Sequence, residues 1–121
     1  MLENSGSFDP PLDLVHLARR QCLGDHELEA ELLGLFRLQI KALTAELSDS
    51  PPVSLASKAK IAHTLRGSAL AVGARRVADA ARRIEELAAA GGDQRSAESR
   101  AVDSLLAAVA EAVAEIERLR G

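Results

Sequence analysis

The sequence predicts an all-α protein, an antiparallel up-down four-helix bundle with a short additional helix at its N-terminus. Three observations lead there. Apolar residues recur at spacings of three and four through four long stretches, and nowhere do they alternate as in a half-buried strand. Apolar residues make up 47% of the chain, yet Phe8 and Phe36 are the only aromatic ones. The core must therefore be assembled from Leu, Ala, Val and Ile, a mixture that favours packed helices. Prolines and glycines interrupt the pattern so as to leave only short connections, which makes successive helices antiparallel neighbours. At 121 residues, the length suits one domain spanning 1–121.

Residues 1–8 are mostly polar and are expected to be flexible. Asp9 followed by Pro10 and Pro11 signals a helix start, because proline is tolerated in the first turn, where its missing N–H costs nothing. That short helix runs to about Cys22 and is stopped by Gly24. Asp25 can cap the second helix, whose apolar residues Leu28, Leu32, Leu35, Phe36, Ile40, Leu43 and Leu47 form a broad stripe. Pro51 and Pro52 end it, since neither can continue the hydrogen-bond ladder. Ser54 opens the third helix, which reaches about Ala71, and Gly73 then supplies a positive-φ stop. The fourth keeps its period through Val77, Ala80, Ala81, Ile84, Leu87 and Ala88. After a turn at Ala90-Gly91-Gly92-Asp93, Asp93 or Ser96 can cap the last helix. Val102, Leu105, Leu106, Val109, Val113, Ile116 and Leu119 fall along one face of it.

Composition narrows the function. A formal net charge of −3 supplies no global cationic field for DNA or RNA, and without Tyr or Trp there are no stacking platforms for single strands. No helix-turn-helix pattern is present. Cys22 is the only cysteine, so no intramolecular disulfide can form, which fits a reducing compartment. The first six residues lack the basic-then-apolar pattern of a signal peptide. No run approaches the roughly 18 to 20 apolar residues of a membrane span. The expectation is a cytoplasmic, monomeric protein without nucleic-acid or membrane partners.

The chemistry concentrates in Ala62-His63-Thr64-Leu65-Arg66-Gly67-Ser68-Ala69. Residues three and four apart share a helix face, so His63, Arg66 and Gly67 form one patch. Ile61, Leu65, Ala69 and Val72 fall on the opposite side, which aims the histidine at solvent. A neutral imidazole offers one unprotonated ring nitrogen as a nucleophile near neutral pH. Taken alone, a histidine on a helix is an ordinary polar surface residue; the His-x-x-Arg-Gly arrangement and the opposing apolar stripe make His63 a candidate nucleophile. Arg66 can stabilise charge on a phosphoryl group or stand as a solvated cation. Gly67 costs about 1 kcal/mol relative to alanine in a helix; it serves either close helix packing or a partner's approach to the ring. Lys60 lies on the same side, one turn earlier. Leu70 also projects near His63, as an ordinary exposed leucine or a docking contact. Arg75, Arg76, Arg82 and Arg83 form a basic run, either a solvated face or a rim that steers an acidic partner. His16 and His26 lack any such flanking pattern. The acidic residues near His63 show no ligand spacing for a metal of the chain's own.

The stretch from Ile61 to Ala69, with Val72-Gly73-Ala74, Val77, Ala78, Ala81, Ile84 and Glu85, resembles the signature of histidine-containing phosphotransfer (HPt) domains, the helical bundles of two-component phosphorelays. Phe8-Asp9-Pro10 and Leu32-Leu33-Gly34-Leu35-Phe36 agree more loosely. Arg66 stands where the family usually has lysine, keeping the charge but exchanging a compact ammonium for a planar fork. Ala69 replaces a small hydroxyl residue. The resemblance implies that Nε2 of His63 accepts a phosphoryl group from an aspartyl phosphate on a receiver domain. It implies receiver domains of hybrid kinases and response regulators as partners, with Mg²⁺ supplied by the receiver and no intrinsic cofactor. It also implies a carrier that is itself modified, not an enzyme that turns over; the sequence has no glycine-rich nucleotide loop. Glu85 falls where family members carry Glu or Gln near the histidine. It can orient the ring through Nδ1, pair with Arg82, or form a solvated flank. Two rivals remain: an interaction-only bundle that docks partners without carrying phosphate, and an oligomeric scaffold built on the Ala- and Val-rich last helix.

Overall fold

The computed structural model describes residues 25–48 and 54–120. They form four helices: α1 (His26–Ser48), α2 (Leu55–Ala71), α3 (Arg75–Ala90) and α4 (Arg95–Arg120). Each packs on its neighbour in sequence and α1 closes onto α4, giving an all-α four-helix bundle. The short N-terminal helix expected before Gly24, together with His16 and Cys22, lies outside the described residues.

Local chemistry sets most helix ends. The Asp25 carboxylate accepts hydrogen bonds from the N–H groups of Glu27 and Leu28 at 3.0 and 3.1 Å, satisfying two of the four donors that a helix start leaves free. The Ser54 hydroxyl does the same for Ser57 at 3.1 Å. At the end of α2, Gly73 takes φ 74°, and the N–H groups of Ala74 and Gly73 donate to the carbonyls of Ala69 and Leu70. These are the two bonds of a Schellman motif, and they turn the chain back within three residues.

The start of α4 differs from the sequence expectation. Ser96 lies inside the first turn, and Asp93 meets only Arg95, through its N–H at 3.4 Å and its guanidinium at 3.7 Å. Gln94 holds the cap position: its carbonyl accepts from Glu98, and its side-chain amide donates to the carbonyls of Leu87 and Gly91. One residue thereby serves both the end of α3 and the start of α4.

The core seam also departs from the stripes drawn by side-chain size. Leu35 is 64% exposed, whereas Leu33 is buried. On α4 the buried line is Ala101, Leu105, Ala108, Val109, Ala112 and Ile116, and Leu119 is exposed. Between α2 and α3, the alanines Ala62, Ala69, Ala74, Ala78 and Ala81 are all buried, beside Leu65, Val77 and Ile84. Helix separation depends on the side chains at the contact, so alanines bring these two helices close. That close seam carries polar residues at its margin, and the histidine is among them.

Candidate functional site

His63 sits in the third turn of α2 with its side chain 70% exposed. Its neighbours in sequence, Ala62 and Leu65, are fully buried, so the helix itself turns the imidazole outward. Glu85 approaches from α3 across the alanine seam. Its Oε2 lies 2.9 Å from Nδ1 of His63, while Oε1 accepts from Nε of Arg66 at 2.6 Å. Nη2 of Arg66 completes the cluster, 3.4 Å from both Oε2 and Nδ1.

The network assigns the ring its tautomer. Nδ1 faces a carboxylate oxygen at a good hydrogen-bond distance, so it carries the proton and donates it to Glu85. With that proton placed, the lone pair resides on Nε2, which no protein group among the described residues engages. The Arg66 guanidinium, more than any other contact, holds the Glu85 carboxyl below the usual carboxylate range; partial burial opposes this, and the hydrogen bond from His63 adds to it. Glu85 in turn raises the affinity of Arg66 for its proton. The carboxylate is thus ionised across the physiological range and oriented by two donors.

Of the three readings open for Glu85 from the sequence, the structure selects the contact with Nδ1. Arg82 turns instead to Asp79 and Glu86 on its own helix, at 3.8 and 3.7 Å. Pairing of Glu85 with Arg66, 19 residues earlier, was not among those readings; complementary charge at the margins of two adjacent helices was the available signal. Gly67 lies exposed one turn after His63, and a Cβ built on it meets nothing within 4 Å. Helix packing does not require a glycine there. Lys60 and Leu70 are also exposed, and both fall on the His63 side of α2. The basic run is divided: Arg76 binds Glu111 of α4 at 2.6 Å, away from the histidine. His26 is exposed at the start of α1. Among the described residues, no three His, Cys, Asp or Glu side chains gather as metal ligands would.

A family model described as "Hpt domain" matches residues 28–120. The chain belongs to the Hpt domain family. Hpt domains are phosphotransfer domains of two-component phosphorelays and interact with receiver domains, and the four-helix architecture found here is theirs. The match begins at the third residue of α1 and takes in all of α2, α3 and α4, so every element that builds the His63 cluster falls within the Hpt region. No curated protein and no solved structure matches the chain. None of the described helices is long and apolar enough to cross a membrane.

Proposed function

We propose that this Hpt protein relays phosphoryl groups between receiver-domain aspartates through a phosphohistidine at His63. The observation that carries the reading is the division of labour on one ring: Glu85 holds Nδ1–H, which leaves the lone pair on Nε2 of a side chain that is 70% exposed. Phosphoryl transfer asks the protein chiefly for position and charge. The Nε2 lone pair attacks phosphorus of the receiver's aspartyl phosphate in line with the bond to the carboxylate. That P–O bond breaks, its electron pair leaves with the aspartate, and the ring becomes an N-phosphorylated imidazolium that keeps its Nδ1 proton. The Glu85 carboxylate, 2.9 Å from that nitrogen, stabilises the new positive charge. The reverse reaction delivers the group to a second receiver and restores the neutral ring.

Arg66 supports the step by keeping Glu85 ionised and aimed, and adds positive potential beside the ring. Gly67 leaves the approach to Nε2 open, and Leu70 and Lys60 border it. Mg²⁺ in this reaction belongs to the receiver's acidic site. The carrier ends each cycle unchanged but is modified within it, so it is a relay partner and not a turnover enzyme.

The test is incubation with a receiver phosphorylated on its aspartate. Wild-type protein should acquire acid-labile, base-stable label, and His63→Gln should fold normally and acquire none. Label on His63→Gln, or binding of the receiver by wild-type protein without transfer, refutes the reading; the second result would indicate an interaction-only bundle.

A further inference from the structure

Away from the histidine, the seam between α3 and α4 opens into a groove of about 900 Å³. Its floor is apolar, made by Ala80 and Leu87 of α3 and by Ala97 and Ala101 of α4. Its rim is basic, with Arg82, Arg83 and Arg100. The two carboxylates on that rim, Asp79 and Glu86, are the ones already engaged by Arg82. Arg83 and Arg100 are exposed and pair with no carboxylate among the described residues. Three arginines against two carboxylates leave this rim with a net charge of +1 on a chain of net charge −3, and the two arginines without a carboxylate partner stand beside the apolar floor.

The groove lies on a different face from the histidine. Helical residues advance by about 100° each, so Arg83 and Leu87, two positions either side of Glu85, stand about 160° around α3 from it. Glu85 points at His63; the groove points away. Its lining extends from Asp79 to Ala90 on α3 and from Ala97 to Ser104 on α4, an elongated extent that suits a chain segment more than a small molecule. Ala80 and Leu87 are about 10 Å apart along α3, two helical turns, which matches anchors at i and i+7 on a docked helix. Three of the four floor residues are alanines, leaving depth for larger aliphatic side chains.

We propose that the α3–α4 groove is a docking site for an acidic amphipathic helical segment of a partner protein, distinct from the His63 face. The segment lays its aliphatic stripe on Ala80, Leu87, Ala97 and Ala101, and its flanking carboxylates meet Arg83 and Arg100. Charge complementarity selects the partner: a basic or neutral amphipathic helix leaves both guanidiniums without counter-charge. Because the two faces differ, such a partner and a protein docked at His63 are held at the same time. The docking does not depend on phosphate at His63.

The test selects random peptides of about 16 residues, four to five helical turns, on the full-length protein by phage display. Hits are remeasured as synthetic peptides by fluorescence anisotropy. Enriched sequences should combine Asp or Glu with aliphatic residues at i, i+3 or i+4, and i+7. Their affinity should fall at least about tenfold on the double variant Arg83→Gln/Arg100→Gln and be unchanged on His63→Gln. Both arginines are exposed, so the double variant should keep its helix content by circular dichroism; should it not, the two single variants carry the comparison. Failure to enrich acidic aliphatic sequences, equal affinity for the variants, or loss of binding in His63→Gln overturns the proposal. So does concentration-dependent self-association that the double variant abolishes, which would assign the groove to a second copy of the chain.

Discussion

Substitution of Gly67 should move stability and phosphoryl transfer in opposite directions. The residue lies inside α2, its backbone is ordinary helix, and a Cβ added to it meets nothing within 4 Å. Gly67→Ala therefore removes the conformational cost of glycine without a clash. The gain is up to about 1 kcal/mol, or about 3–6 °C in Tm for a domain of this size. Gly67→Gln should gain about half as much, because glutamine is a slightly poorer helix former than alanine. Transfer responds otherwise. Residues four apart on a helix have Cβ atoms about 5–6 Å apart, so a glutamine at 67 reaches across the exposed ring of His63. An attacking nitrogen must come within about 3–3.5 Å of phosphorus, and the amide occupies that approach. Gly67→Ala should transfer nearly as well as wild type, while Gly67→Gln should lose at least about tenfold, about 1.4 kcal/mol of barrier. Label transfer from a phosphorylated receiver, at several receiver concentrations, measures the rate, and circular dichroism melting measures stability. A Gly67→Gln protein that transfers at the wild-type rate, or melts below wild type, would refute the access argument.

Arg66→Ala should slow transfer by about one to two orders of magnitude at saturating receiver, about 1.4 kcal/mol each, with helix content preserved. Arg66→Lys should recover only part of this, since an ammonium restores the charge but not the contact through Nε and Nη2 with both oxygens of Glu85; full recovery would mean that the fork is irrelevant. The Glu85 carboxyl is held below its ordinary value, so its ionised form contributes stability fully present above about pH 4.3, lost as pH falls through its lowered folded value. Urea midpoints compared above and below that window should drop further for wild type than for Glu85→Gln, and parallel drops would refute the linkage. Ile84 is fully buried beside Glu85 on α3, so Ile84→Ala should cost about 2–5 kcal/mol by chemical denaturation; a loss below about 1 kcal/mol would show that the seam relaxes around it.

What the sequence determined by itself was whatever depends on residues within a turn or two. Asp25 and Ser54 could be recognised as caps, and Gly73 as a positive-φ stop, because their partners lie two to five residues away. The four helices followed from periodicity and punctuation, and the outward aim of His63 from the apolar residues opposite it. The His63 segment was also legible through its resemblance to Hpt domains, and the Hpt match covers the region in which it lies.

What only the tertiary structure decided is which margin meets which. A stripe drawn by size placed Leu35 and Leu119 inward, yet both are exposed, and the contacts run through alanines that carry little weight in any pattern of large apolar residues. Small side chains bury little area apiece but set how near two helices come, and that spacing is fixed jointly by both partners. The role of Glu85 follows from it. A carboxylate 22 residues from the histidine and 19 from the arginine has several cations within plausible reach on a helical wheel. The closeness of α2 and α3 chooses Arg66 and the Nδ1 proton over Arg82, because hydrogen bonds act only over the last ångströms that packing alone controls.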